Sequence, residues 1–493
     1  MENDRRPWLR ASLLLGLGVV LFALGAKLGL IHFFGTDQPY ADQWATEGLG
    51  LVRGPLYYKL GWNSFSGTHG EHRPALTLLW AAGLITANGG QWDCFVELVA
   101  NLAIYGTFLL VAWRLARQAA EGLWLAVAAL FMAGLFALPG NYENFLWGFQ
   151  SGFLFLLLTG TLHVAGTLGA TRPGWIWAGA QLAGLAGLFS IAAGMMSAAA
   201  LVVLATVELV RGRRDAWAWA TFAANALLRV FGLWLLPAAA ARTDSWFSLV
   251  AGAVVRTGYM LSWPQQGFWW CLLLQAPWLA VAVAWGSGGA GHAGDRVVAT
   301  LGLWAALAVL AIAYGREVTP ETIGVRYFDV LFLGVLANAL ALVRLIGRRP
   351  GWSRRVWAGW GLVWLITLGT GLWHFNKPER LQPVLDYQKA LAVEQTQVLR
   401  EFLLSQNPAG LQEFARRSAR FPHYQLTLEM LHDKKVYPYL PPSIAPGGPA
   451  GPLSRLAPRA AALWPVFLVA GLGLLVAGGI RQCFPVRPSR NEI

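Results

Sequence analysis

Apolar runs of about 20 residues recur along nearly the whole chain, each long enough to cross a hydrocarbon core roughly 30 Å thick as a helix. Short polar stretches separate them. The pattern predicts an all-α polytopic membrane protein with spans over residues 12–30, 94–113, 122–139, 145–166, 216–236, 266–285, 297–314, 326–346, 356–373 and 461–480. Residues 175–210 are expected to leave and return as two shorter helices meeting near Ser190. Two apolar pieces do not fit as spans. Residues 74–87 are too short and too rich in alanine and glycine, and 246–263 carry Arg256 in their middle, so both are expected as half-helices. That makes a bundle of about 12 transmembrane helices.

Arginine clusters set the expected topology. Arg5/Arg6/Arg10, Arg114/Arg117, Arg172, Arg211/Arg213/Arg214, Arg344/Arg348/Arg349/Arg354/Arg355 and Arg481/Arg487/Arg490 are placed on the cytoplasmic side, as juxtamembrane cations are. The half-helices and the polar loop 32–91 then fall outside. So does 374–458, which reads as a small soluble helical domain broken at Asn407-Pro408 and Phe421-Pro422. The expected division is a transmembrane module over 1–373, this outer domain, and a final helix with a cytoplasmic tail over 459–493. The first apolar run lacks a small-residue cleavage site and is expected to be retained.

Composition narrows the function classes. With 56% hydrophobic and 13% charged residues, a soluble enzyme is excluded. The 38 Lys+Arg against 25 Asp+Glu give +13, but the positions of the arginines make this topology and not nucleic-acid binding. Cys94, Cys271 and Cys483 are too scattered for a disulfide framework or a cysteine metal site. There is no phosphate-binding glycine loop, no nucleotide signature and no internal repeat of the kind transporters carry.

Carboxylates are few, so where they gather is informative. Asp37, Asp42 and Glu47 follow the first span, and His69-Gly70-Glu71-His72-Arg73 lies farther along the same loop. A carboxylate just outside a membrane, beside aromatic side chains and a cation, suits proton removal from a hydroxyl attacking a lipid-anchored substrate; the same acids would also simply solvate a loop. His69, Glu71 and His72 suggest a divalent metal, although Pro74 and the absence of helical His-Glu spacing speak for a turn, in which His72 and Arg73 bind phosphate. Glu143, in the turn Asn141-Tyr142-Glu143-Asn144, is either a second functional acid or a helix N-terminal acid; Gln150 needs a polar partner inside the membrane. Arg256, and Arg326 with Tyr327, are candidate phosphate binders, with Asp329 either a ligand or a partner of Arg326. Of the 26 tryptophans most suit an interfacial belt, while Trp44, Trp62, Trp147 and Trp263 are placed to stack on a sugar or isoprenoid.

Together, the inside N-terminus, the first-loop acid, the external half-helices, the second-loop acid and the outer C-terminal part resemble the GT-C superfamily of integral-membrane glycosyltransferases. Tyr40-Ala41-Asp42-Gln43-Trp44, Gly70-Glu71-His72-Arg73 and the segment from Glu143 to Gln150 look like motifs of bacterial membrane proteins of this design. The resemblance implies Asp42 as catalytic base, Glu143 as the second acid and Arg256 or Arg326 near a donor phosphate; Asp37, Trp44, Glu47, His69, Glu71, Trp147 and Gln150 are the residues expected around the substrate from their places in the loops. It implies a polyprenyl-phosphate-sugar donor, a lipid, glycan or protein acceptor, no certain cofactor, and a site on the outside of a bacterial inner membrane. A paired acidic motif is absent from the first loop. The expectations of a different class are a transporter of a lipid-linked substrate and a non-catalytic partner in envelope-glycan assembly.

Overall fold

The computed structural model describes residues 6–237, 246–288, 292–316, 323–348, 351–445 and 450–483. Arg5, Arg349, Arg487 and Arg490 of the expected anchors lie outside them. The described residues form helices and turns with no strand. In chain order the helices are α1 (Arg6–Phe34), α2 (Trp62–Ser66), α3 (Ala75–Ala87), α4 (Cys94–Ala119), α5 (Leu123–Ala137), α6 (Glu143–Leu146), α7 (Ser151–Gly169), α8 (Trp175–Gly187), α9 (Met196–Val210) and α10 (Ala216–Leu235). They continue as α11 (Trp246–Leu261), α12 (Trp270–Gly286), α13 (Ala293–Gly315), α14 (Phe328–Arg348), α15 (Gly351–Asn376), α16 (Pro378–Ser405), α17 (Ala409–Arg417), α18 (Tyr424–His432), α19 (Pro452–Ala462) and α20 (Trp464–Cys483).

Among the described residues, 9 helical segments are long and apolar enough to cross a membrane, so the protein is a helical, membrane-embedded one. Three further expected crossings, α5, α8 and α12, have 15, 13 and 17 residues. The expected short pieces are α3 with 13 residues and α11 with 16. Large apolar side chains such as Trp175, Leu227, Val283 and Val469 stand on the outside of the bundle, as they do where the solvent is lipid.

One end of the bundle gathers the arginine clusters. Arg344 pairs there with Asp295 and donates to the Ala119 carbonyl at 3.3 Å, and Arg296 lies 3.6 Å from Glu208. The opposite end carries a thick polar layer made of residues 36–93, the turn 138–150 and residues 377–445 and 450–462. The expected division assigns the first and last of these to different units, yet they share one core, separate from that of the bundle. Trp44, Leu51, Leu78 and Trp92 pack in it with Leu399, Phe402, Phe414, Phe421 and Met430. A π-helical segment, Trp44–Arg53, buries one side of itself, covered both by α3 of its own loop and by α18 of the distant segment. Arg53 fixes the seam by pairing with Glu429 at 2.6 Å and Asp433 at 3.2 Å.

The first and last described helices lie side by side. Gly18 and Gly25 of α1 face Leu475 and Leu468 of α20 so closely that a Cβ would meet them at 2.9 and 2.6 Å. Small residues allow such an approach between helices in a membrane.

Candidate functional site

Asp42 is presented by a tight turn at the start of the polar layer. Gln43 N–H donates to the Tyr40 carbonyl at 3.1 Å, Tyr40 N–H donates to Gln43 Oε1 at 3.1 Å, and Thr46 Oγ1 donates to the Asp42 carbonyl at 2.8 Å. Ala41 takes a φ of +47°, costly for a residue with a Cβ by about 1–2 kcal/mol. That conformation is held by the other half of the layer. Ala41 N–H donates to the Arg420 carbonyl at 3.1 Å, and the Arg420 guanidinium lies over the Tyr40 ring, 4.9 Å from its centre. Arg420 is itself buried and donates to Gln395 Oε1 and the Gln388 carbonyl; burial pulls it down to about 10.

The Asp42 carboxylate sits between two imidazoles. His69 Nε2 lies 3.2 Å from Oδ2 and His423 Nε2 lies 3.6 Å from Oδ1. The hydrogen bond from His69, and beyond it the charges of His69, His423 and Arg326, hold the carboxyl below its ordinary range although burial opposes them. A wall of rings stands alongside: Tyr40 is edge-on to Trp147 at 4.9 Å, Trp147 stacks with Phe149 at 6.3 Å, and Phe149 meets the His69 ring at 5.4 Å.

His69 and His72 belong to one turn. Each donates its backbone N–H to the other's carbonyl, at 2.8 and 3.0 Å, with Gly70 at a φ of +55°. Their rings nevertheless serve different partners. His72 Nδ1 accepts the Ala192 N–H at 3.0 Å, which leaves its proton on Nε2, 3.5 Å from Glu71. Burial pushes His72 down to about 4, so it is neutral. Glu71 pairs with Arg316 at 2.5 Å. The ligand atoms of His69, Glu71 and His72 therefore do not converge on a common point. Among the described residues, the convergence of three possible metal ligands is Glu47, Cys94 and Glu97.

That second grouping lies beneath Asp42. Gln43 Nε2 donates to Glu47 Oε2 at 3.0 Å and Glu97 Oε2 at 2.9 Å, and Trp92 Nε1 donates to Glu47 Oε2 at 3.0 Å. Both carboxyls are fully buried, and burial raises Glu47 to about 7.

Glu143 and Arg326 are positioned by a buried chain of polar groups below them. Lys27 donates to the Leu138 carbonyl at 2.5 Å and Asn141 Oδ1 at 2.6 Å; Asn141 and Asn144 each donate to Asp329 at 2.7 Å. Asp329 is thus the acceptor for two amides instead of the ion-pair partner of Arg326. Glu143 is raised by burial, with the charge of Arg326 opposing. It has no hydrogen-bond partner among the described residues. Arg326 lies over the ring of Tyr327, which is buried against Phe153.

Several expected site residues are elsewhere. Trp44 and Glu47 are fully buried in the core of the polar layer and Gln150 is buried before α7, so none of the three is accessible to a substrate. Trp263 is likewise buried, against Phe328 and Phe375, while Trp62 is exposed. Asp37 accepts from Ser443 Oγ at 2.6 Å and its N–H at 3.0 Å, a clasp within the layer. Arg73 is engaged by the Leu235 and Ser66 carbonyls, and Arg256 by the Ala313 carbonyl. Asp42, His69, Glu143, Trp147 and Arg326 are the expected residues brought together.

Sequence reasoning missed His423, Arg316, Arg420, Tyr40 and Lys27. Two signals were present. Lys27 is a cation within the first apolar run, where a charge needs a reason, and the chain has only 8 histidines, of which His423 follows the break at Phe421-Pro422.

The arrangement is a half-exposed carboxylate held ionised by donors, beside an aromatic wall, with an arginine and a second carboxyl nearby. It can accept a proton and stabilise an anion. Compared with known proteins, the chain matches no family model, and no curated protein or solved structure is similar to it.

Proposed function

We propose that the chain is a glycosyltransferase that moves a sugar from a polyprenyl-phosphate carrier to a lipid, glycan or protein acceptor at the outer face of a bacterial inner membrane. The observation that supports this best is the Asp42 carboxylate, oriented on both oxygens and set at the membrane edge with Arg326 within its electrostatic reach. In this reading α5, α8 and α12 are short crossings, giving about 12 in all. Helices α3 and α11 are external half-helices, and the polar layer is external, the arrangement that a GT-C enzyme would have.

Asp42 takes the proton of the acceptor hydroxyl, whose oxygen attacks the anomeric carbon as the bond to the carrier phosphate breaks. His69 orients the carboxylate. Arg326, braced on Tyr327, faces the departing phosphate, where negative charge accumulates and fixed positive charge helps most. Tyr40, partly exposed and backed by the buried Trp147, offers an edge on which a sugar ring packs. The transporter reading gains no comparable support. Among the described residues, several buried polar groups of the bundle pair with a near neighbour, as His163 does with Ser197 and Asn338 with Gln275, and such local pairing speaks against a polar path.

The test is mass spectrometry of lipids co-purifying with wild type and with Asp42→Asn. Intact polyprenyl-phosphate sugar enriched in the variant is expected. Ordinary phospholipids alone in both samples would remove the donor assignment.

A further inference from the structure

The proposal above leaves open where the proton goes after Asp42 and what the residues 378–445 contribute. One relationship bears on both. His423, at the start of α18, directs Nε2 to Asp42 Oδ1 at 3.6 Å, while His69 occupies Oδ2 at 3.2 Å. The two imidazoles are not equivalent. His69 acts as a donor to the carboxylate, so its Nε2 already carries a proton. The His423 side chain is 44% exposed against 27% for His69, so it has the wider access to water.

The position of His423 is fixed from several sides. Phe421 is buried against Trp44 and Phe414, Arg420 binds the backbone of Ala41, and the His423 carbonyl accepts the Thr427 N–H at 3.1 Å in the first turn of α18. The 420–423 segment is therefore tied to 40–42 through backbone and ring contacts, and the imidazole is carried to the carboxylate by them.

We propose that His423 is the proton relay of this site, acting through Asp42 and connecting it to solvent. This rests on the glycosyltransferase reading. When the acceptor oxygen bonds to the anomeric carbon, the carbon–oxygen bond to phosphate breaks and its electron pair leaves on the phosphate. The acceptor proton passes to Asp42 and from Oδ1 to the bare Nε2 of neutral His423; the imidazolium so formed, whose charge then faces the restored carboxylate, gives its proton to water from the exposed ring and is neutral again. Asp42 is then a carboxylate again.

The experiment uses the full chain in membrane vesicles from expressing cells, supplied with a lipid extract containing polyprenyl-phosphate sugars. It reads polyprenyl phosphate released. His423→Ala is expected to be about tenfold to hundredfold slower and to recover when imidazole is added, because the half-exposed site admits it. His423→Gln keeps the volume but cannot relay, and loses rate by a similar factor. Asp42→Asn is slow and gains nothing from imidazole. If Asp42→Asn is slow but both His423 variants run at the wild-type rate, the relay is overturned and the glycosyltransferase reading stands. Slow His423→Ala at normal membrane abundance with no recovery in imidazole also overturns it, as a structural contact. If all three variants match wild type, both readings fall.

Discussion

Asn144 donates from Nδ2 to Asp329 Oδ2 at 2.7 Å, and the same nitrogen reaches the Arg326 carbonyl at 2.9 Å. The turn that carries Glu143 is thereby locked to the residues that open α14, and the acid and the guanidinium above it are held by groups that never meet a substrate. Lys27 completes the lock from α1 through Asn141.

Removing Asp329 tests the lock. Asp329→Ala leaves two buried amides without their acceptor and Lys27 without its nearby carboxylate, and should cost about 3–5 kcal/mol. Thermal unfolding in detergent measures it. A variant as stable as wild type would show that the buried groups find other partners.

The acid side of the pH profile reads His69. Its hydrogen bond is the largest cause holding the Asp42 carboxyl below the ordinary value of 3.8, so the ionised base survives to lower pH than an isolated aspartate would. Such a depressed group stabilises the fold above its unfolded value, and that stability is lost as pH falls. His69→Gln should move the acid limb of the release rate to higher pH. An unmoved limb would mean that the limb belongs to another group.

Glu47 gives the opposite sign. Burial raises it from 4.5 to about 7, so the folded chain holds this proton more tightly than the unfolded one, and stability declines as pH rises through that window and levels off above it. The slope for one such group is about 1.4 kcal/mol per pH unit. Glu47→Gln should melt with a flatter dependence between roughly pH 5 and 7. Equal slopes for the two proteins would place the proton elsewhere.

Much of this architecture was legible in the sequence because lipid imposes a simple rule: a long apolar run becomes a helix. The expected span 94–113 is α4, and the break expected at Asn407-Pro408 falls where Gln406 takes a left-handed φ of 58° and α17 begins after Pro408. Asp42 stood out in the sequence as a carboxylate beside aromatics just after the first apolar run. Pairing across long distances was not legible. Nothing in local pattern connects His423 to Asp42 or Arg316 to Glu71: the first contact follows from how two halves of the polar layer fold over one core, the second from the end of α13 reaching the 69–72 turn. Trp44 and Glu47 were misplaced for that reason too. Their loop looked solvent-exposed until a distant segment covered it.

The neighbourhood of α1 and α20 bears on how the molecule is made. Gly18 and Gly25 are synthesised early, and the leucines that close on them, Leu475 and Leu468, come hundreds of residues later. During translation the first helix must wait in the bilayer with an open groove along one side, and insertion of α20 closes it.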